Sequence, residues 1–366
     1  MSEKVLTAKA LSVGYGRKVI VDGLDIEVCA GEILTIIGPN GAGKSTVLRS
    51  IASQLPLLGG AVRINDTDIT AMSLNEIAKK LSVCFTDRMS AEKMTCEDIV
   101  STGRYPYTGR LGILSDTDRK AVREAMELTG VTYLADTDIR CISDGQRQTV
   151  MLARAIAQEP QVLILDEPTS FLDINNKLRL LSILKELVRS RNIAVLQTLH
   201  ELDLAQRFSD KILCIAHGKA DRTGTPEEIF SGSYISELYD ISCGSFDNLF
   251  GTAEPQRREG EPQIFVIGGG GSGIPVYRRL QRQGIPFAAG VIHENDVEYN
   301  AAKSLASVLI TEKAFEPIGE ESLNKALSVM QKCRQVICCV ESFGTMNTGN
   351  KTLLEKAVSM GLLIKS

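Results

Sequence analysis

The chain has 366 residues, 43% hydrophobic and 23% charged, the proportions of a soluble globular protein and too many for one ordinary core, so two or three domains are expected. With 41 basic against 45 acidic residues the net charge is -4 and no basic arm stands out, so nucleic acid is not an expected partner. No apolar leader follows Met1 and no run of about 18 apolar residues occurs, which reads as neither exported nor membrane-spanning, and the nine scattered cysteines, Cys338 and Cys339 adjacent among them, read as reduced thiols.

In chain order, Tyr15 comes first, between Gly14 and Gly16, with a flat face for a purine or simply for turn packing. The apolar run Ile33–Ile37 is followed by Gly38, Pro39, Asn40, Gly41, Ala42, Gly43, Lys44, Ser45 and Thr46, and then by an amphipathic segment carrying Val47, Leu48, Ile51 and Leu55. Strand, Gly-x4-Gly-Lys-Ser loop and helix in that order are a phosphate-binding unit. The glycines let backbone N–H groups face a polyphosphate, and the helix N-terminus adds roughly half a positive charge. Lys44 would reach the β- and γ-phosphates and Ser45 would place its hydroxyl on Mg²⁺.

From residue 72 to about 160 the pattern turns helical, as at 119–129 and 146–158, and predicts a helical insertion over about 87–160. The run Val162–Leu165 then ends in Asp166 and Glu167. Two adjacent carboxylates at a dry strand end repel without a cation, so the pair implies one. Asp166 would hold Mg²⁺ and Glu167 would orient and deprotonate the attacking water. Further apolar runs at 193–197 and 211–215 complete the expected strands of a parallel sheet buried on both faces, and His200 follows the first of these, where it could donate to a γ-phosphate oxygen.

Residues 246–262 show little periodicity and read as a linker. From 263 to 366 strand candidates at Ile264–Ile267, 287–292, 307–311 and 335–340 alternate with helical candidates at 275–283, 298–306, 320–332 and 350–360, predicting a smaller doubly wound parallel-sheet domain of Rossmann-like type. Within it the run from Gly268 to Gly273 satisfies Gly-x-Gly-x-x-Gly, and Glu294 lies 21 positions beyond Gly273. That is formally a dinucleotide fingerprint, or else a tight turn in a small regulatory domain without a ligand.

Over residues from about 5 to 240, within an expected first domain at 1–245, the combination resembles the nucleotide-binding subunit of an ATP-binding cassette (ABC) transporter. Besides the phosphate loop and the acidic pair there is Ile142-Ser143-Asp144-Gly145-Gln146 where that family has its Leu-Ser-Gly-Gly-Gln signature, then Phe171-Leu172-Asp173, the switch-like His200 and the aromatic Tyr15. The resemblance implies a P-loop ABC ATPase cassette of α/β class, with ATP and Mg²⁺ as ligands, Tyr15 stacking on adenine, and Glu167 and His200 as catalytic residues. It implies that Ser143, Gly145 and Gln146 cap the ATP held by a second copy, in a head-to-tail dimer. It also implies membrane permease subunits as partners, an extracytoplasmic binding protein as an indirect one, and a place in the cytoplasm, peripheral on the inner face of the cell membrane. Gly103-Arg104-Tyr105-Pro106-Tyr107 resembles a segment of cassettes serving iron-siderophore, haem and cobalamin importers. Two positions depart from the family: Asp144 replaces a signature glycine, and Thr86 falls where a glutamine normally touches Mg²⁺ and senses the permease. The alternative is a non-transport ABC ATPase, a soluble regulatory or binding module.

Overall fold

The computed structural model describes residues 3–85, 93–109, 112–248 and 250–364. The chain divides into two compact units, Met1–Tyr239 and Asp240–Ser366.

The first unit opens with two long antiparallel strands, β1 (Lys4–Tyr15) and β2 (Lys18–Cys29). Then come β3 (Ile33–Ile37), buried at every residue, and α1 (Lys44–Ile51), with the phosphate loop between them. β4 (Gly59–Ile64) and β5 (Thr67–Asp68) return to the first pair and make an antiparallel sheet of order β2-β1-β4-β5. This sheet is absent from the pattern expected from sequence, and its irregularity is the reason. The pairing of β1 with β2 shifts register at several points and Ala10 adopts φ 46°, so the alternation of period two is repeatedly broken.

After α2 (Leu74–Lys80) and β6 (Leu81–Cys84) the helical insertion follows, with α3 (Cys96–Ser101), α4 (Asp116–Thr129) and α5 (Asp144–Ala157). The chain then alternates β7 (Val162–Leu165), α6 (Ile174–Arg191), β8 (Ala194–Thr198), α7 (Leu202–Phe208) and β9 (Lys211–Ala216). It closes with β10 (Lys219–Gly224), α8 (Pro226–Ile229) and α9 (Tyr234–Leu238). The second sheet has the order β10-β9-β3-β8-β7-β6 and is parallel except for the β10 edge. Val47, Leu48 and Ile51 of α1 are fully buried in a core shared with both sheets. The carboxyl ends of β3, β7 and β8 thereby lie on one rim of the sheet, where open α/β folds gather ligand-binding loops.

In the second unit a hairpin of β11 (Gly244–Asp247) and β12 (Thr252–Pro255) precedes β13 (Ile264–Ile267), α10 (Ile274–Gln283), β14 (Phe287–His293) and α11 (Tyr299–Leu305). β15 (Val308–Glu312), α12 (Glu320–Met330), β16 (Gln335–Cys338), α13 (Thr348–Ser359) and β17 (Leu363–Ile364) complete it. The sheet order is β15-β14-β13-β16-β17, parallel throughout, and the winding reverses between β13 and β16. Tyr277, Leu280, Ala302 and Leu305 of α10 and α11 pack on one face, and Ala326, Met330, Leu353 and Ala357 of α12 and α13 on the other. A doubly wound domain is the result.

The segment read as a linker is different in the structure. Part of it is β12, the boundary between units falls at Tyr239 rather than near 245, and buried Glu254 pairs with Arg278 while Gln281 donates to the Gln256 carbonyl. Polar ties rather than an apolar stripe hold these residues, so periodicity could not report them. Among the described residues no helix is long and apolar enough to cross a membrane.

The Arg104-Tyr105-Pro106-Tyr107 segment is built into the packing of the helical insertion. Arg104 is buried, and donates to Asp118 Oδ1 at 2.9 Å, the Ala157 carbonyl at 2.8 Å and Glu159 Oε2 at 2.7 Å, with the Tyr107 ring 4.1 Å from its guanidinium carbon. Removing the cation strands the buried Asp118 carboxylate. Arg104→Met is therefore expected to destabilise the first unit by about 3 kcal/mol, measured by urea unfolding; a loss too small to resolve would contradict a structural role for the pair.

Candidate nucleotide-binding and catalytic site

The phosphate loop leaves β3 and turns through left-handed backbone before α1 starts. Gly43 has φ 98°, and a Cβ there would stand 2.5 Å from Val21 Cγ2, so the position demands glycine on both conformational and packing grounds. Lys44 is buried and donates through Nζ to the carbonyls of Gly38 at 2.7 Å and Pro39 at 3.0 Å, which folds the side chain back over its own loop. Burial pulls its pKa below the usual lysine value, and the nearby Glu167 and Asp166 carboxylates work in the opposite direction. A cleft of about 330 Å³ opens over the loop, lined by Tyr15, Ile20, Asn40, Gly41, Gly43, Lys44, Ser45, Thr46, Glu167 and His200. Tyr15 is 55% exposed at the cleft.

Asp166 and Glu167 stand where β7 ends. Asp166 Oδ1 accepts from Ser45 Oγ at 3.1 Å and from Thr198 Oγ1 at 2.7 Å, joining the ends of three neighbouring elements. Thr198 Oγ1 in turn accepts from the Glu167 amide at 2.9 Å. Glu167 sits in the left-handed region at φ 50°, its Oε2 accepting from Ser170 Oγ at 3.1 Å and its Oε1 2.5 Å from His200 Nε2. Ser45 and Asp166 form a hydroxyl and carboxylate pair of oxygen donors that suits Mg²⁺, which keeps several waters and takes its remaining ligands from substrate phosphates. Among the described residues no cluster of three or more His, Cys, Asp or Glu offers a metal site of the all-protein kind.

A family model described as ABC transporter matches residues 21–170. The ABC transporter ATP-binding protein MJ0873 of Methanocaldococcus jannaschii is 41% identical over 287 residues, covering 78% of this chain and 99% of that protein. The chain belongs to the ABC transporter ATP-binding proteins. The cobalamin import ATP-binding protein BtuD of Halobacterium salinarum is 34% identical over 306 residues, 81% of this chain and 76% of that one. The iron(3+)-hydroxamate import ATP-binding protein FhuC of Bacillus subtilis is 36% identical over 238 residues, 65% of this chain and 88% of that one. Among solved structures, the ADP conformation of MJ1267, an ATP-binding cassette of an ABC transporter, superposes with TM-score 0.59 at 22% identity, over 66% of this chain and all (100%) of that one, and supports the fold alone. Residues 287–365 of the second unit match a separate model, the MJ0874 family.

The ABC signature residues lie outside the lining of the cleft just described. Ser143 caps α5, where its Oγ accepts from the Gln146 amide at 3.2 Å and Gln146 Oε1 accepts from the Ser143 amide at 2.9 Å. Gly145 packs against Asn176, whose Nδ2 would be 3.0 Å from an added Cβ. Asp144, the departure from the family pattern, pairs with Arg147 at 2.9 Å along its own helix. Thr86 lies outside the described residues.

Two contributors escaped the sequence reading. Thr198 is a polar residue at the end of a buried strand, two positions before His200, and that placement was its available signal. Tyr239 had none: its hydroxyl accepts from the Gly38 amide at 3.1 Å across 201 residues of chain, and burial pushes its pKa up to about 12. Thr198→Val keeps the shape of the side chain but removes the two hydrogen bonds that Thr198 makes to the acidic pair. The expected outcome is ATP turnover reduced roughly 10- to 100-fold with nucleotide affinity little changed, measured by steady-state phosphate release and equilibrium binding; unchanged turnover would remove Thr198 from the site.

Proposed function

We propose that the chain is the ATP-hydrolysing nucleotide-binding subunit that powers an ABC importer for a metal chelate, iron-siderophore, haem or cobalamin. It works as a head-to-tail homodimer bound to permease subunits on the inner face of the cell membrane. The observation that carries the reading is the convergence of Lys44, Ser45, Asp166, Glu167 and His200 on one side of the sheet, in a chain whose relatives import metal chelates.

The roles follow from where the groups sit. Tyr15 stacks on adenine, and the loop from Gly38 to Thr46 cradles the phosphates through its amides. Lys44 exchanges the Gly38 and Pro39 carbonyls for phosphate oxygens, a stronger charge-assisted partner. Ser45 and Asp166 hold Mg²⁺, which neutralises charge on the phosphates. Glu167 takes a proton from the attacking water, and its separation of 2.5 Å from His200 places the histidine to hold that carboxylate until the γ-phosphate offers a second acceptor.

Phe171, 89% exposed, and Ile174, 78% exposed, follow the acidic pair in sequence and lack apolar cover. A partner copy presenting Ser143, Gly145 and Gln146 supplies cover for these residues and a helix N-terminus for the phosphates. Among the cargoes, cobalamin is favoured by the reach of the alignments. The Halobacterium salinarum relative aligns over 306 residues, beyond the first unit, which ends at Tyr239, whereas the iron-hydroxamate relative aligns over 238.

The test is co-purification with a permease encoded beside the gene, followed by ATPase assays with cobalamin and with ferric hydroxamate. Stimulation by cobalamin, abolished by Glu167→Gln with ATP binding retained, is the expected result. A permease complex whose turnover responds to no metal chelate would overturn the importer reading.

A further inference from the structure

The glycine-rich run of the second unit looks from sequence like a holder of pyrophosphate, but two of its amides already donate to carboxylates of the chain itself. Gly270 N donates to Asp296 Oδ2 at 2.8 Å and Gly273 N to Glu298 Oε2 at 2.8 Å, while the Tyr277 hydroxyl donates to Glu298 Oε1 at 2.9 Å. Glu298 is completely buried. The glycines themselves are explained by this packing: a Cβ on Gly268 would lie 2.1 Å from Glu298 Oε1, and one on Gly273 2.5 Å from Tyr277 Cζ. The loop therefore carries its own anions, built in from the segment after β14. A phosphate arriving there would meet two carboxylates where it needs donors.

Beside this loop a cleft of about 280 Å³ opens, lined by Gly270, His293, Asn295, Asp296, Val297, Phe315 and Met346. It lies at the carboxyl ends of the parallel strands, since β13, β14 and β15 each lead into a segment that lines it. Its volume lies just below the roughly 300–1,000 Å³ range of ligand clefts, which suits a nucleoside and not a dinucleotide. Among the described residues no lysine or arginine lines it. Its apolar side chains are unusually bare, with Phe315 80% exposed, Val297 46% and Met346 38%. An aromatic left this open offers a stacking face.

On the polar side of the cleft the Asp296 carboxylate is the acceptor. The Asp296 carboxylate takes two amide protons, from Gly270 and from Glu298 at 3.0 Å, and a carboxylate has about four lone-pair sites, so capacity for two more donors remains. His293 Nε2 lies 2.9 Å from the Glu316 carbonyl, which can only accept, so this nitrogen donates and is tied to the wall of the cleft. A flat apolar face, paired hydroxyl donors and no negative charge are what such a cleft selects.

We propose that the second unit binds an unphosphorylated purine nucleoside in this cleft, its base against Phe315 and its ribose hydroxyls toward Asp296. The site is separate from the ATP cassette and does not depend on the transport reading.

The experiment is calorimetric titration of the full chain and of Phe315→Ala with adenosine, AMP and NAD. Phe315 is exposed, so its truncation leaves folding intact, and the difference between the two proteins isolates this cleft from any binding at the cassette. Adenosine is expected to show a saturable component that Phe315→Ala weakens at least about tenfold. AMP and NAD should show a Phe315-dependent component at least about tenfold weaker than that of adenosine, because their phosphates face Asp296 without a cation. Absence of a Phe315-dependent component for adenosine would overturn the proposal, as would AMP or NAD binding there as tightly as adenosine.

Discussion

A single carboxylate oxygen organises the first unit: Asp166 Oδ1, which accepts at once from Ser45 at the start of α1 and from Thr198 at the end of β8. A charge at a buried strand end is costly without donors, and these two hydroxyls satisfy it while locking three neighbouring chain segments into one rim. Thr198 then reaches on to the Glu167 amide, which helps hold that residue in a left-handed conformation with its carboxylate turned toward His200. The phosphate loop, the acidic pair and His200 are thus one hydrogen-bonded set, carried on the parallel sheet beneath them.

Much of this was legible in the sequence because the relevant signals are local. Ile33–Ile37 and Val162–Leu165 are buried on both faces and read as unbroken apolar runs, so the loops that follow them could be placed to the residue. The antiparallel sheet was not legible, because bulges in β1 scramble its alternation. Residues 246–262 look featureless because the side-chain ties that hold Glu254 and Gln256, to Arg278 and Gln281, are polar and lie more than twenty positions away. Tyr239 illustrates the same limit: nothing in its neighbourhood announces a hydrogen bond to Gly38.

The two glycine-rich loops of the chain make a useful contrast, since both follow a buried strand and both lead into a helix. In the first, the charged residue of the loop is Lys44, bonded to carbonyls that a phosphate can replace. In the second, the positive end of the loop is already neutralised by Asp296 and Glu298, and Tyr277 closes over the glycines. Pattern matching treats the two alike. The difference lies in residues more than twenty positions downstream, whose side chains decide whether a loop of amides is a binding site or a finished piece of structure.

Ser143, Gly145 and Gln146 stand outside the cleft of their own chain, and in the proposed dimer they complete the phosphate loop of the other copy. Mixing two inactive variants tests this directly. Lys44→Ala lacks a working phosphate loop and Ser143→Arg lacks a working signature, so each alone is expected to be nearly inactive in ATP turnover. A mixed dimer, however, unites the intact loop of one with the intact signature of the other and should regain turnover on mixing. A mixture no more active than its parents, or a Ser143→Arg protein as active as wild type, would contradict the composite site.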